Sequence, residues 1–396
     1  MTTVEVAETG PGRTHRLSDA QAAQLTASGL VSVSPLGGGE WLITGSSKVG
    51  VAQIGDVTLR VSPKVTTAKL FWLLGYARKF DWRDDLVDYE ADTDLVHVIA
   101  EAFARQSERA LGRGVLHGYV SIDDELAVIR GRLRATEQVT RRYGQITPLL
   151  VTYDEFTPDI AENQLLKAAA RVLSRVPGLQ PGVARHLRVV TDRLASVRDL
   201  AAGAQLPDWR PSRRNAHYET ALFFAELVLR HQAIDLPAGV VDVNGFMVDM
   251  AAVFEDFVTV ALTDEFERVD GQVRAQDRHS LDLGGDVPMK PDIVWYRAGQ
   301  PAAVIDAKYK AEKPAGYPNA DVYQMLAYCT ALNLREGHLV YAKGNEEPAL
   351  HDIRNADISI VAHALDLSAP PSDLLAQVAA VARRIQHAQP ATIGDR

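Results

Sequence analysis

Met289-Lys-Pro-Asp-Ile-Val-Trp-Tyr-Arg-Ala-Gly-Gln-Pro-Ala-Ala-Val-Ile-Asp-Ala-Lys308 is the most informative segment of the chain. Apolar, β-branched and aromatic runs flank Arg297-Ala298-Gly299-Gln300, the composition of a hairpin turn between two strands. With the hairpin centred on Gly299, residues equally far from it face one another. Asp292 and Asp306 are each seven residues away, so they sit opposite, with Cβ atoms about 5 Å apart. Lys308 lies two residues past Asp306 and shares its face; Lys290 falls opposite Lys308. A one-residue slip would send the two aspartates to opposite faces, so the arrangement depends on register.

Two carboxylates that close repel, and a shared proton or a divalent cation must compensate. All-oxygen ligation suits Mg²⁺ or Mn²⁺, with Mg²⁺ usually taking one or two carboxylates plus water and substrate phosphate. Facing lysines are equally unfavourable unless an anion such as DNA phosphate docks between them. An Asp-x-Lys triplet arises by composition alone in a chain of this length. Its weight here comes from its surroundings: the Pro291-Asp292 upstream, the apolar hairpin between, and a following helix. That helix carries Gln324-Met-Leu-Ala-Tyr328, which places Gln324 and Tyr328 on one face.

Outward from this segment, residues 236–396 read as helix, strand pair, helix, strand, strand, helix: an α/β module of self-sufficient size. Residues 91–235 carry mainly helical periodicity, with helices over Leu95–Leu111, from near Asp159, and around Leu222–Leu229. Leu206–Asn215 reads as a loop. Residues 1–90 read as β-rich. One early helix is announced by the capping-box pattern Ser18-Asp-Ala-Gln21 and stopped at Gly29. Short strands follow at Val31–Val33, Trp41–Ile43, Val49–Ile54 and Val57–Val61, in a small antiparallel sheet or barrel. A short apolar helix runs through Leu70–Leu74. The expected fold is therefore a multi-domain α/β chain with boundaries near 90 and 235.

The 396 residues carry a net charge of −9, which argues against coating nucleic acid by bulk charge but leaves room for a local basic groove. Arg130, Arg132, Arg134, Arg141 and Arg142 face only Glu137 among acids in their stretch. They suit either phosphate contacts or structural ion pairs. Residues 81–94 hold seven acids against one arginine and read as a solvated connector. A single cysteine excludes a disulfide framework or a thiolate zinc cluster. Neither a signal peptide nor a spanning apolar run is present, so a cytoplasmic, soluble protein without membrane contact is expected. No Gly-x-x-x-x-Gly-Lys-Ser/Thr motif occurs, so no nucleotide is expected to bind this chain.

Pro291-Asp292 with Asp306-Ala307-Lys308 resembles the PD-(D/E)xK nuclease motif, and Gln324 with Tyr328 resembles the extra motif of RecB-like members. Further blocks are similar to the McrC family, the nuclease subunits of McrBC-type modification-dependent restriction systems. They are Val57–Val65, Gly131-Arg132-Leu133, Tyr153–Thr157 leading to Glu162–Lys167, and Phe254-Glu255-Asp256-Phe257. The resemblance spans roughly residues 30–350. It implies a restriction-endonuclease-like C-terminal domain and an acid on the helix before the hairpin, with Glu255 the candidate and Asp256 its competitor.

The resemblance also implies Mg²⁺ or Mn²⁺ held by Asp292, Asp306 and Glu255, with the Ala307 carbonyl a further candidate ligand. Lys308 would position a water or offset charge on the phosphate. Gln324, Tyr328, Lys290 and Lys310 would position double-stranded DNA. The implied partner is an McrB-like AAA+ GTPase hexamer, engaged by the N-terminal region, and the implied reaction is GTP-driven cleavage of 5-methylcytosine-containing DNA. Two other readings of the same residues are a stand-alone RecB-like nuclease and a non-catalytic activator of an AAA+ ring.

Overall fold

The computed structural model describes residues 2–8, 10–77, 95–201, 204–230, 243–269, 271–309, 319–342 and 349–387. The acidic stretch 81–94 and Lys310 lie outside these residues. The chain forms two compact units, Met1–Leu95 with His231–Arg396, and Val96–Arg230.

The N-terminal part of the first unit comprises β1 (Thr2–Ala7), β2 (Arg13–Arg16), α1 (Asp19–Ser28), β3 (Val31–Gly37), β4 (Glu40–Gly45), β5 (Lys48–Ile54), β6 (Val57–Ser62) and α2 (Thr67–Ala77). Helix α1 begins and ends where its capping chemistry predicts. Ser18 Oγ accepts from the Gln21 N–H at 3.2 Å, Gln21 Oε1 accepts from the Ser18 N–H at 3.0 Å, and Gly29 stops the helix at φ 63°. Strands β2, β4 and β3 form an antiparallel sheet. The expected β5–β6 pair is antiparallel, but it belongs to a mixed sheet, because β1 joins β6 in parallel.

The second unit contains α3 (Leu95–Leu111), β7 (Gly118–Leu126), β8 (Arg132–Leu133), α4 (Ala135–Arg141), β9 (Leu149–Thr157), α5 (Ala161–Leu173), α6 (Pro181–Arg193) and α7 (Glu219–Arg230). The expected helices α3, α5 and α7 are present. The sheet β7-β9-β8 is an addition to the helical reading of this region. Strand β7 alternates between half-buried and exposed residues without one fully buried position, so its apolar signal is too thin to mark a strand. The arginine cluster is largely structural. Arg134 and Arg141 pair with Glu137 at 3.0 and 3.6 Å, Arg142 pairs with Glu125, and the Arg130 guanidinium lies 3.8 Å from the Tyr153 ring centre.

The chain returns to the first unit with β10 (Val243–Asp249) and α8 (Met250–Phe266). There follow β11 (Gln272–Ala275), β12 (His279–Ser280), β13 (Pro288–Met289), β14 (Ile293–Arg297), β15 (Gln300–Lys308), α9 (Asn319–Leu332), β16 (Glu336–Ala342), β17 (Ala349–Ile353), β18 (Ile358–Leu365) and α10 (Pro371–His387). Strand β10 lies antiparallel to β5 and extends the N-terminal sheet. Gly245 makes this pairing close: at φ 149° a Cβ there would stand 2.3 Å from the Val51 carbonyl oxygen.

The main sheet runs β11-β14-β15-β16-β18-β17, with β15, β16 and β18 parallel and the outer strands antiparallel. Strand alternation divides it into two faces. Val294, Val304, Leu339, Ile360 and Ala362 meet Met325, Cys329 and Leu332 of α9. On the other face α8 stacks Phe266 on Trp295, 4.8 Å between ring centres, and α10 packs against α8 and β18. Among the described residues no helix is long and apolar enough to cross a membrane.

Candidate active site

The hairpin β14–β15 turns through Ala298 and Gly299, both at positive φ (48° and 78°), the signature of a two-residue type I′ turn. Arg297 pairs with Gln300 and Tyr296 with Pro301. Continued unbroken, that ladder would set Asp292 opposite Ile305. A bulge intervenes: Trp295 pairs with Ala303, leaving Ala302 as the extra residue, and Ile293 pairs with Ile305. Asp292 and Asp306 are next out along this corrected register, as the sequence predicts.

Asp292 Oδ2 accepts a hydrogen bond from the Ala307 N–H at 2.8 Å. Asp306, 2% exposed, is ion-paired with Lys308. Lys308 Nζ also donates to Gln324 Oε1 at 2.9 Å, and Gln324 Nε2 donates to the Tyr328 hydroxyl at 2.7 Å. The Tyr328 hydroxyl lies 3.4 Å from the Lys290 carbonyl oxygen as donor. The structure thus joins Asp306, Lys308, Gln324 and Tyr328 in one chain of polar contacts on the α9 face, with Asp292 beside it. The Lys290 side chain is exposed, and the residue enters this network through its carbonyl.

Burial, then the charges of Asp306 and Glu255, raise the Asp292 carboxyl to about 7. Asp306 is raised chiefly by burial, with Lys308 opposing and Asp321 and Glu255 adding to the rise. Burial pulls the Lys308 ammonium down, but Asp306, Asp292 and Asp321 outweigh it and hold the group above its usual value. The neighbouring carboxylates thus favour the charged ammonium form of Lys308.

Glu255 acts on both aspartates electrostatically, while its Oε1 accepts from Gln276 Nε2 at 2.8 Å. Among the described residues no three His, Cys, Asp or Glu side chains are spaced to hold a metal ion. The donors that converge are two hard carboxylates, Asp306 buried and Asp292 half-buried, which repel one another. This set fits a hard divalent cation bound through one or two carboxylates and completed by water and substrate.

Two residues of the site escape sequence reading. Gln276 sits at positive φ (49°); its N–H donates to the Asp292 carbonyl oxygen at 2.8 Å while its side chain holds Glu255. No motif marks it. Asp321, 3% exposed, accepts from the Tyr341 hydroxyl at 3.1 Å and bears on Asp306 and Lys308. Its position three residues before Gln324 on one helix face is the signal that could have found it.

A family model described as McrBC 5-methylcytosine restriction system component matches residues 43–342. No curated protein sequence matches the chain. Among solved structures, the chain is similar to one in a refined half-complex from the tetradecameric assembly of Thermococcus gammatolerans McrB AAA+ hexamers with bound McrC. The TM-score is 0.58 at 18% identity, covering 97% of this chain and 100% of that one. It is also similar to a chain in the cryo-EM structure of the Thermococcus gammatolerans McrBC complex, with a TM-score of 0.41 at 18% identity over 67% of this chain and 88% of that one. At this identity the first likeness is one of fold.

Proposed function

Because the chain belongs to the McrBC 5-methylcytosine restriction system component family, we propose that it is the DNA-cleaving subunit of such a system. In this reading residues 236–396 form a PD-(D/E)xK nuclease domain that hydrolyses phosphodiester bonds of 5-methylcytosine-containing DNA with Mg²⁺ or Mn²⁺. Its partner is an McrB-type AAA+ GTPase, whose GTP hydrolysis it stimulates. The observation that carries the reading is the convergence of Asp292, Asp306, Lys308, Gln324 and Tyr328 on one face of the β15 end.

Asp292 and Asp306 would hold the cation, and Glu255 stands by as the third acid. When bound, the cation supplies positive charge that polarises the scissile phosphate and acidifies a water. The protein contributes orientation and charge. The Ala307 N–H fixes one oxygen of Asp292. Lys308, held between Asp306 and Gln324, would present its positive charge where negative charge builds on the phosphate. Tyr328 ties Gln324 to the chain segment entering β14, so α9 and the hairpin set the lysine's position together.

The test is a reconstitution of this chain with an McrB-type GTPase, GTP, Mg²⁺ and plasmid with or without 5-methylcytosine. Cutting of the methylated plasmid is expected. Asp306→Asn should abolish it while stimulated GTP hydrolysis persists. A wild-type complex that leaves methylated DNA intact, or an Asp306→Asn complex that still cuts, overturns the proposal.

A further inference from the structure

Glu8 follows β1, is fully buried and has no part in the chemistry above. Its Oε1 accepts from the Lys64 N–H at 2.6 Å and from the Tyr309 hydroxyl at 2.8 Å. Its own N–H donates to the Ser62 carbonyl at 2.9 Å, so the N-terminal sheet holds it in place. Burying a carboxyl is costly unless its hydrogen bonds are placed well, which makes an acid at this position one to be explained.

Tyr309 is the residue after Lys308. Along β15, Asp306 and Lys308 point to the α9 face. Tyr309 turns to the α8 face, where its ring lies 5.9 Å from that of Phe254, the neighbour of Glu255. The ladder between β15 and β16 ends with Lys308 opposite Tyr341. Tyr309, next along the chain, is held through its side chain by Glu8. We propose that the Glu8–Tyr309 hydrogen bond is a positioning clamp: it anchors the strand end from the opposite face and thereby keeps the Lys308 ammonium on Asp306 and Gln324. The inference rests on the reading of Lys308 as a residue of the nuclease site.

Tyr309→Phe removes the hydroxyl and keeps the ring. Glu8→Ala removes the acceptor, and Glu8→Gln retains one. Amine labelling of the full chain, read residue by residue by mass spectrometry, reports the state of Lys308 without any need for activity. Lys167, a buried lysine of the second unit paired with Asp199 at 3.0 Å, serves as reference. Tyr309→Phe and Glu8→Ala should raise Lys308 labelling several-fold with Lys167 unchanged, Glu8→Gln should label like wild type, and the double variant should label no more than either single one. In the reconstituted complex, Tyr309→Phe should slow single-turnover cleavage about tenfold or more at unchanged DNA affinity. Unchanged Lys308 labelling in Tyr309→Phe, or labelling that rises only in step with Lys167, overturns the clamp. A wild-type complex that cuts no methylated DNA defeats the nuclease reading instead and leaves the labelling result to decide the clamp.

Discussion

Asp292 accepts a 2.8 Å hydrogen bond from the backbone N–H of Ala307 across the β14–β15 hairpin. The bond requires the register in which Ile293 faces Ile305, and that register exists because the extra residue Ala302 offsets a turn centred between Ala298 and Gly299. A carboxylate that was placed by strand pairing is thus locked by the strand that carries its partner acid. The hairpin behaves as a rigid support for the two acids, and its turn is the natural place to test that support.

Ala298 occupies the left-handed region at φ 48°, a conformation that costs an L-residue roughly 1–2 kcal/mol and that Asn tolerates far better. Ala298→Asn should stabilise the protein by about 0.5–1 kcal/mol, read as a higher denaturant midpoint at unchanged slope. The position is exposed and remote from the acids, so cleavage should be unaffected.

Gln276 combines the same backbone strain with two contacts in the site. Both Gln276→Ala and Gln276→Gly release Glu255, and each should reduce cleavage about tenfold or more, as loss of a partner that orients a site residue does. The two differ in stability. Gly accepts positive φ and Ala does not, so Gln276→Gly should be more stable than Gln276→Ala by about 1 kcal/mol. Equal stability of the two, or wild-type cleavage in both, would show that the strain or the contact has been misjudged.

Gly337 on β16 lets α9 approach the sheet. A Cβ there would stand 2.5 Å from Cys329 Sγ and 2.6 Å from Met325 Sδ. Gly337→Ala should destabilise by about 1–3 kcal/mol through overpacking. Because α9 also carries Gln324 and Tyr328, the displaced helix should lower cleavage beyond the loss of folded protein. Thermal unfolding and cleavage measured on the same sample separate the two effects.

His338 Nδ1 and His363 Nε2 lie 3.2 Å apart in the sheet interior, with Glu336 3.7 Å from His338. Burial, then the neighbouring His363 and Arg384, push His338 well below its usual value; burial and Arg384 push His363 to about 4. At His363 the unfolded chain therefore binds more protons than the folded one between about 6.5 and 4. Stability from His363 is complete above the unfolded value and is lost as pH falls toward the folded one, by about 2 kcal/mol near pH 5. The raised carboxyls of Glu8, Asp292 and Asp306 pull the other way, since their folded values lie above their unfolded ones. The difference between wild type and His363→Gln isolates the histidine: without added divalent cation, the variant should lose less stability between pH 7 and pH 5. A parallel pair of curves would refute this.

Much of the site was legible in the residue string because its geometry is local. The capped helix α1, the pairing of Asp292 with Asp306 across a hairpin, Lys308 on their face, and Gln324 with Tyr328 one helical turn apart all follow from the two-residue period of strands and the 3.6-residue period of helices. Tertiary structure alone decided the rest. Gln276 reaches Glu255 and Asp292 from another element, and Glu8 meets Tyr309 from a distant part of the chain. The β10 strand completes an N-terminal sheet through backbone hydrogen bonds, which every residue but proline supplies and no residue type announces. Local periodicity is written into side-chain order, whereas the meeting of distant segments depends on packing and backbone pairing that leave no mark in any one stretch of sequence.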